Sequence, residues 1–98
     1  MSIRDDISDQ YEDLPLLFMD PEEFDEAIIG VAEGCGTSPK IAYDYGEIIK
    51  INMKDGMTYD EAQEHFEYNQ IGAYVGEYTP IFIRDFKKTP TSLVLGMN

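Results

Sequence analysis

Apolar residues recur at helical spacing from the start of the chain. Ile3, Ile7, Tyr11 and Leu14 stand four, four and three positions apart, which puts them on one stripe of a short amphipathic helix over 3–13. Ser2 is placed to cap it, with Asp5 three residues on. Pro15 breaks the pattern, and the run Leu16-Leu17-Phe18-Met19 that follows is apolar throughout. Asp20-Pro21-Glu22-Glu23 then reads as a second helix start, with proline in the first turn and acids at the positive end of the dipole. Phe24, Ala27, Ile28 and Val31 form its inward stripe, and Gly34-Cys35-Gly36 ends it. Lys40-Ile41-Ala42-Tyr43 is short and reads as a strand or an extended entry to the next helix. Asp44 caps a third helix whose inner positions are Tyr45, Ile48, Ile49 and Asn52, and Gly56 stops it. Thr58-Tyr59-Asp60-Glu61 is a capping box, so a fourth helix runs to Asn69 or Gln70 with Tyr59, Ala62 and Phe66 inward. Gly72 and Gly76 bracket a turn, and Thr79-Pro80-Ile81-Phe82-Ile83 reads as a strand with proline at its tolerated first position. The expected fold is α+β and mainly helical, with about four short helices and a minimal two-stranded sheet.

Ninety-eight residues suit one domain. Residues 1–19 form an acidic helix and an apolar segment, 20–83 the core, and 84–98 a tail in which the polar-then-apolar run from Thr89 to Gly96 suits a docking arm. A hydrophobic fraction of 43% is enough to bury a modest core. No run reaches the roughly 20 apolar residues of a membrane span, and the first six residues do not read as a signal peptide. A single cysteine, Cys35, allows no internal disulfide, so a cytoplasmic protein is expected.

Charge changes the picture most. Twenty acids against seven bases give −13, beyond the magnitude of about 2–8 common for small domains. Residues 1–33 alone hold eleven carboxylates and one base, Arg4. Such a surface repels phosphate backbones and anionic lipid, so direct nucleic-acid or membrane binding is not expected. Asp60, Glu64 and Glu67 share a stripe of the fourth helix. Glu22, Glu26 and Glu33 share one on the second, with Glu23 nearby, and Asp5 and Asp9 belong to the first. Neighbours three and four apart on a helix lie roughly 5–6 Å apart, close to the spacing of phosphates along a nucleic-acid strand. A firm array at that pitch can enter the Lys/Arg groove of a DNA-handling protein. The same charge also serves plain solubility or another protein-binding role.

Catalytic chemistry is poorly supplied. Cys35 lies in acidic surroundings that suppress a thiolate. Glu61 and His65 share a helix face four apart, but the chain has a single histidine and no calcium-loop pattern. No enzyme activity, metal or cofactor is expected.

The string Met53-Lys54-Asp55-Gly56-Met57-Thr58-Tyr59-Asp60-Glu61-Ala62, with Phe66-Glu67-Tyr68-Asn69 and Ile71-Gly72-Ala73-Tyr74-Val75-Gly76-Glu77, resembles a group of small uncharacterised phage and bacterial proteins. With residues 24–53 the likeness covers about two thirds of the chain. It implies a small cytosolic protein of phage type, in the host cytoplasm if phage-encoded. In charge and size the chain is similar to phage anti-defence proteins that imitate DNA, many of them dimers. The expected partner is a basic nucleic-acid-binding protein of a restriction, CRISPR or other DNA-handling complex, met through Asp5, Asp9, Glu22, Glu23, Glu26, Asp60, Glu64 and Glu67. The alternative is an adaptor whose apolar patch at Leu16, Leu17 and Phe18 drives oligomerisation or grips a partner.

Overall fold

The computed structural model describes residues 2–71 and 76–87. In chain order the elements are α1 (Ile3–Gln10), a 3-10 helix (Glu22–Ala27), β1 (Ile28–Ala32), β2 (Lys40–Asp44), α2 (Tyr45–Lys54), α3 (Tyr59–His65), a π-helical turn continuing α3 (Phe66–Gln70), and β3 (Ile81–Ile83). The turn expected over 73–75 and the docking arm expected after 88 lie outside the described residues.

Local hydrogen bonds set the helix starts. The Ser2 side chain accepts from the Asp5 amide, and Asp44 accepts from that of Gly46 at 3.1 Å. Thr58 and Glu61 complete a reciprocal capping box. Gly56, at φ +105°, turns the chain out of α2 through a region that side chains avoid.

Two expectations are overturned. Among the described residues the sheet has three strands, not two, in the order β1-β2-β3. β1 pairs antiparallel with β2 across the turn at 33–39, where Gly36 adopts φ +78°. β3 returns after both helices and pairs parallel with β2, matching Ala42 to Ile81 and Asp44 to Ile83. A parallel neighbour requires a long crossover, and α2 and α3 supply it. The second helix is also not a helix to residue 33. It is a two-turn 3-10 segment from Pro21 onward, without a side-chain cap, that becomes a strand at Ile28. Phe24, Ala27 and Ile28 are buried as the helical stripe required. The β-branched pair Ile28-Ile29 and the helix-weakening Gly30 nonetheless favour strand once β2 offers a ladder of hydrogen bonds. Smaller differences are that α1 ends at Gln10 and that Tyr59 is half exposed rather than inward.

The core forms on β2, the central strand. Ile41 and Tyr43 have no accessible surface, and neither do Ile48 of α2 and Ala62 of α3. An aromatic chain ties helices to sheet. Tyr43 meets Phe82 of β3 at 5.9 Å, Phe82 meets Phe66 edge-on at 4.9 Å, and Phe66 meets Tyr45 edge-on at 4.9 Å. The Arg84 guanidinium lies 4.0 Å over Tyr45 and closes the row. Buried Asn52 exchanges amide hydrogen bonds with Gln70 (3.0 and 3.3 Å), which fixes the π turn against α2.

The Tyr43 hydroxyl accepts the Met19 amide hydrogen at 2.7 Å and so pins the apolar segment to the core. Burial raises the Tyr43 phenol above its ordinary 10.0, and the Met19 N–H draws it partly back. The unfolded chain ionises this group near pH 10. Its contribution is therefore full below that pH and is lost as pH climbs through the folded value. Tyr43→Phe should cost about 1–2 kcal/mol in urea unfolding at neutral pH, because it leaves the half-buried Met19 amide without its partner. It should also flatten the alkaline loss of stability. An unchanged alkaline limb would contradict the assignment.

Candidate functional site

The acidic residues are held in place by a few contacts. Ile7 is the buried residue of α1. Arg4, one turn before it, reaches across to the 3-10 helix. Its Nε and Nη2 donate to the two carboxylate oxygens of Asp25, both at 2.8 Å, a bidentate pair. The same guanidinium lies 4.4 Å from the Phe18 ring centroid, and Nη2 also donates to the Met19 carbonyl at 3.4 Å. At the far end of α1 the Tyr11 hydroxyl donates to Glu33 at 2.6 Å. This bond raises the Tyr11 phenol, and the hydrogen bond to Asp25 raises Arg4. An isolated eight-residue helix does not persist in water, so these contacts and Ile7 make α1 part of the body.

The outcome for charge is specific. Of the eleven carboxylates in residues 1–33, ten are exposed, and the eleventh, Asp25, is half-buried and takes up Arg4. Asp5, Asp9, Glu22, Glu23 and Glu26 all stand in this set. They do not form the expected stripe. A 3-10 helix has three residues per turn, so Glu23 and Glu26 lie on one line and Glu22 shares another with Asp25. Glu33 follows β1 and is positioned by Tyr11 instead of by Glu26.

The second set, Asp60, Glu64 and Glu67, is exposed on α3 and the π turn. Asp60 and Glu64 share a face. Glu67 follows them at the start of the π turn, the second residue past the end of α3. The 3-10 helix and α3 each pack against α2, α1 packs against β1, and α2 carries the exposed lysines Lys50 and Lys54.

Leu16 and Phe18 pack partly buried against the core, and Leu17 is half-buried beside a groove of about 260 Å³ shared with Gln70, Pro80 and Phe82. The segment chiefly serves this chain's own core. His65 is half-buried, with Nδ1 3.2 Å from the Asn69 amide nitrogen, and Glu61 is committed to the capping box. Cys35 is an exposed free thiol in the β1–β2 turn. Among the described residues, no group of three or more His, Cys, Asp or Glu is placed to hold a metal ion, and no helix is long and apolar enough to cross a membrane.

Sequence reasoning missed the Arg4–Asp25 pair. The available signal was that a sole base among eleven acids must settle on one of them. No protein-family model, curated protein or solved structure matches the chain.

A double-mutant cycle on Arg4→Ala and Asp25→Asn should give a coupling of about 1 kcal/mol in thermal unfolding, at the upper end for partly exposed pairs because the geometry is bidentate. The coupling should shrink in high salt. A coupling indistinguishable from zero would remove the pair from the account.

Proposed function

We propose that the chain is a non-enzymatic acidic binding protein that occupies the nucleic-acid site of a basic, DNA-handling partner. One observation carries the reading: ten exposed carboxylates lie in a segment whose single base is consumed internally by Asp25. An attacking cationic surface meets negative charge there with no intervening lysine or arginine, which steers association and rewards a groove built for phosphates. The carboxylates of α1, the 3-10 helix and Glu33 form the primary contact. Asp60, Glu64 and Glu67 form a separate, secondary one.

We read the chain as an inhibitor of host defence acting in the host cytoplasm, a role that its charge and size suit. A homodimer, if formed, joins through a face other than the acidic one, because two such faces repel. The adaptor reading through Leu16, Leu17 and Phe18 has less support, since Leu16 and Phe18 are packed on the chain's own core.

The test is capture of host proteins on immobilised chain, eluted with a salt gradient or with duplex DNA. The bound protein should be a nucleic-acid binder released by DNA, and its affinity should fall at least about tenfold between low and moderate salt. The salt slope should be shallower than that of duplex DNA on the same partner, because the carboxylates are sparser than phosphates. Glu22→Lys/Glu23→Lys/Glu26→Lys should abolish capture, whereas Leu17→Ser should retain it. Capture that ignores salt and charge reversal, or a partner that DNA does not displace, would overturn the reading.

A further inference from the structure

The pocket that holds Arg4 has more of the features of a recognition site than a tether needs. Its floor is the Phe18 ring, 4.4 Å from the guanidinium. Its wall is the Asp25 carboxylate, which takes Nε and Nη2 side by side, and its rim is the Met19 carbonyl. A planar carboxylate fork, an aromatic face and a carbonyl are the groups that distinguish guanidinium from ammonium. Glu22 adds attraction for positive charge from nearby.

The walls do not depend on the residue that fills them. Phe18 and Met19 pack on the core, and the Met19 amide is bonded to the buried Tyr43 hydroxyl at 2.7 Å. Asp25 is flanked in the 3-10 helix by buried Phe24 and Ala27. The occupant sits instead on the least anchored element, an eight-residue helix whose one buried residue is Ile7. The socket therefore survives the departure of the Arg4 side chain, and α1 stays docked through Ile7 and the Tyr11–Glu33 hydrogen bond.

We propose that this pocket is an arginine socket, closed in the free protein by the chain's own Arg4 and filled in the complex by an arginine side chain of the basic partner. This inference rests on the function proposed above and deepens it. Arg4 acts as an internal competitor. Its local effective concentration lowers the affinity for lone arginines and leaves the site to partners whose other basic residues engage the surrounding carboxylates.

The experiment uses L-argininamide as the probe and Arg4→Ala as the receptor. Argininamide at about ten times its Kd should raise the unfolding midpoint of Arg4→Ala by roughly 5–10 °C over equal ionic strength of NaCl. Lysinamide should not, and neither Arg4→Ala/Asp25→Asn nor Arg4→Ala/Phe18→Leu should respond to argininamide. If Arg4→Ala does not fold, the titration is run on Arg4→Gln, which removes the internal competitor and keeps a polar side chain on α1. There, saturable amide shifts at Asp25, Met19 and across Ile3–Gln10 support the socket, and unmoved resonances overturn it. Equal responses to argininamide, lysinamide and NaCl also overturn it, leaving Arg4 a structural tether. The two readings fail separately. Loss of partner capture with intact rescue removes the binding function and leaves the socket, whereas intact capture without rescue removes the socket alone.

Discussion

The hydrogen bond from the Met19 amide to the Tyr43 hydroxyl is the joint on which the functional half of this molecule depends. Tyr43 lies wholly inside, on the central strand, and its ring is fixed by Phe82. Its hydroxyl reaches back to the segment before the 3-10 helix and holds it. With Met19 in place, Phe18 and the Met19 carbonyl receive Arg4, and Asp25 closes on the same guanidinium. Arg4 then docks α1, with Ile7 beneath it and Tyr11 tied to Glu33. The exposed acids of residues 1–33 are thus carried on elements that trace back to one buried phenol.

That arrangement works against electrostatics. Ten like charges on adjoining elements repel, and the net charge of −13 opposes compaction generally. The opposing term is apolar. Ile41, Tyr43, Ile48 and Phe66 are almost completely removed from water, and burying each such side chain contributes about 1.5–3 kcal/mol. Among the described residues the buried polar side chains are satisfied, as in the Asn52–Gln70 amide pair, so the core does not lose what the apolar burial supplies.

Much of the helical framework was legible in the sequence because it is written in local hydrogen bonds. Ser2, Asp44 and Thr58 each cap a first turn within three residues, and Gly56 marks an exit that needs positive φ. What was not legible depends on distant partners. Phe24, Ala27, Ile28 and Val31 satisfy a helical period, yet Ile28 onward joins β2 because strand pairing outweighs that period. The third strand pairs with a segment nearly forty residues earlier, which no local pattern reports. The site divided in the same way. That Asp5, Asp9, Glu22, Glu23 and Glu26 face solvent followed from composition. The alignment of Glu22, Glu23 and Glu26 did not, because it was drawn on an α-helix that the chain does not form. The Arg4–Asp25 pair spans 21 positions and joins two elements whose contact only the tertiary fold creates.

The central claim is that α1 is a docked part of the body, so that its acids and those of the 3-10 helix form one firm surface. Amide hydrogen exchange at neutral pH and low salt tests it most directly. The Ile7 and Tyr11 amides should be protected well above unfolded rates, below the level of Ile41 and Tyr43, and Arg4→Ala should weaken the α1 protection without abolishing it while leaving that of β2 intact. Wild-type α1 amides exchanging at the rate of an unstructured peptide would contradict it, because the acids of α1 would then belong to no fixed surface.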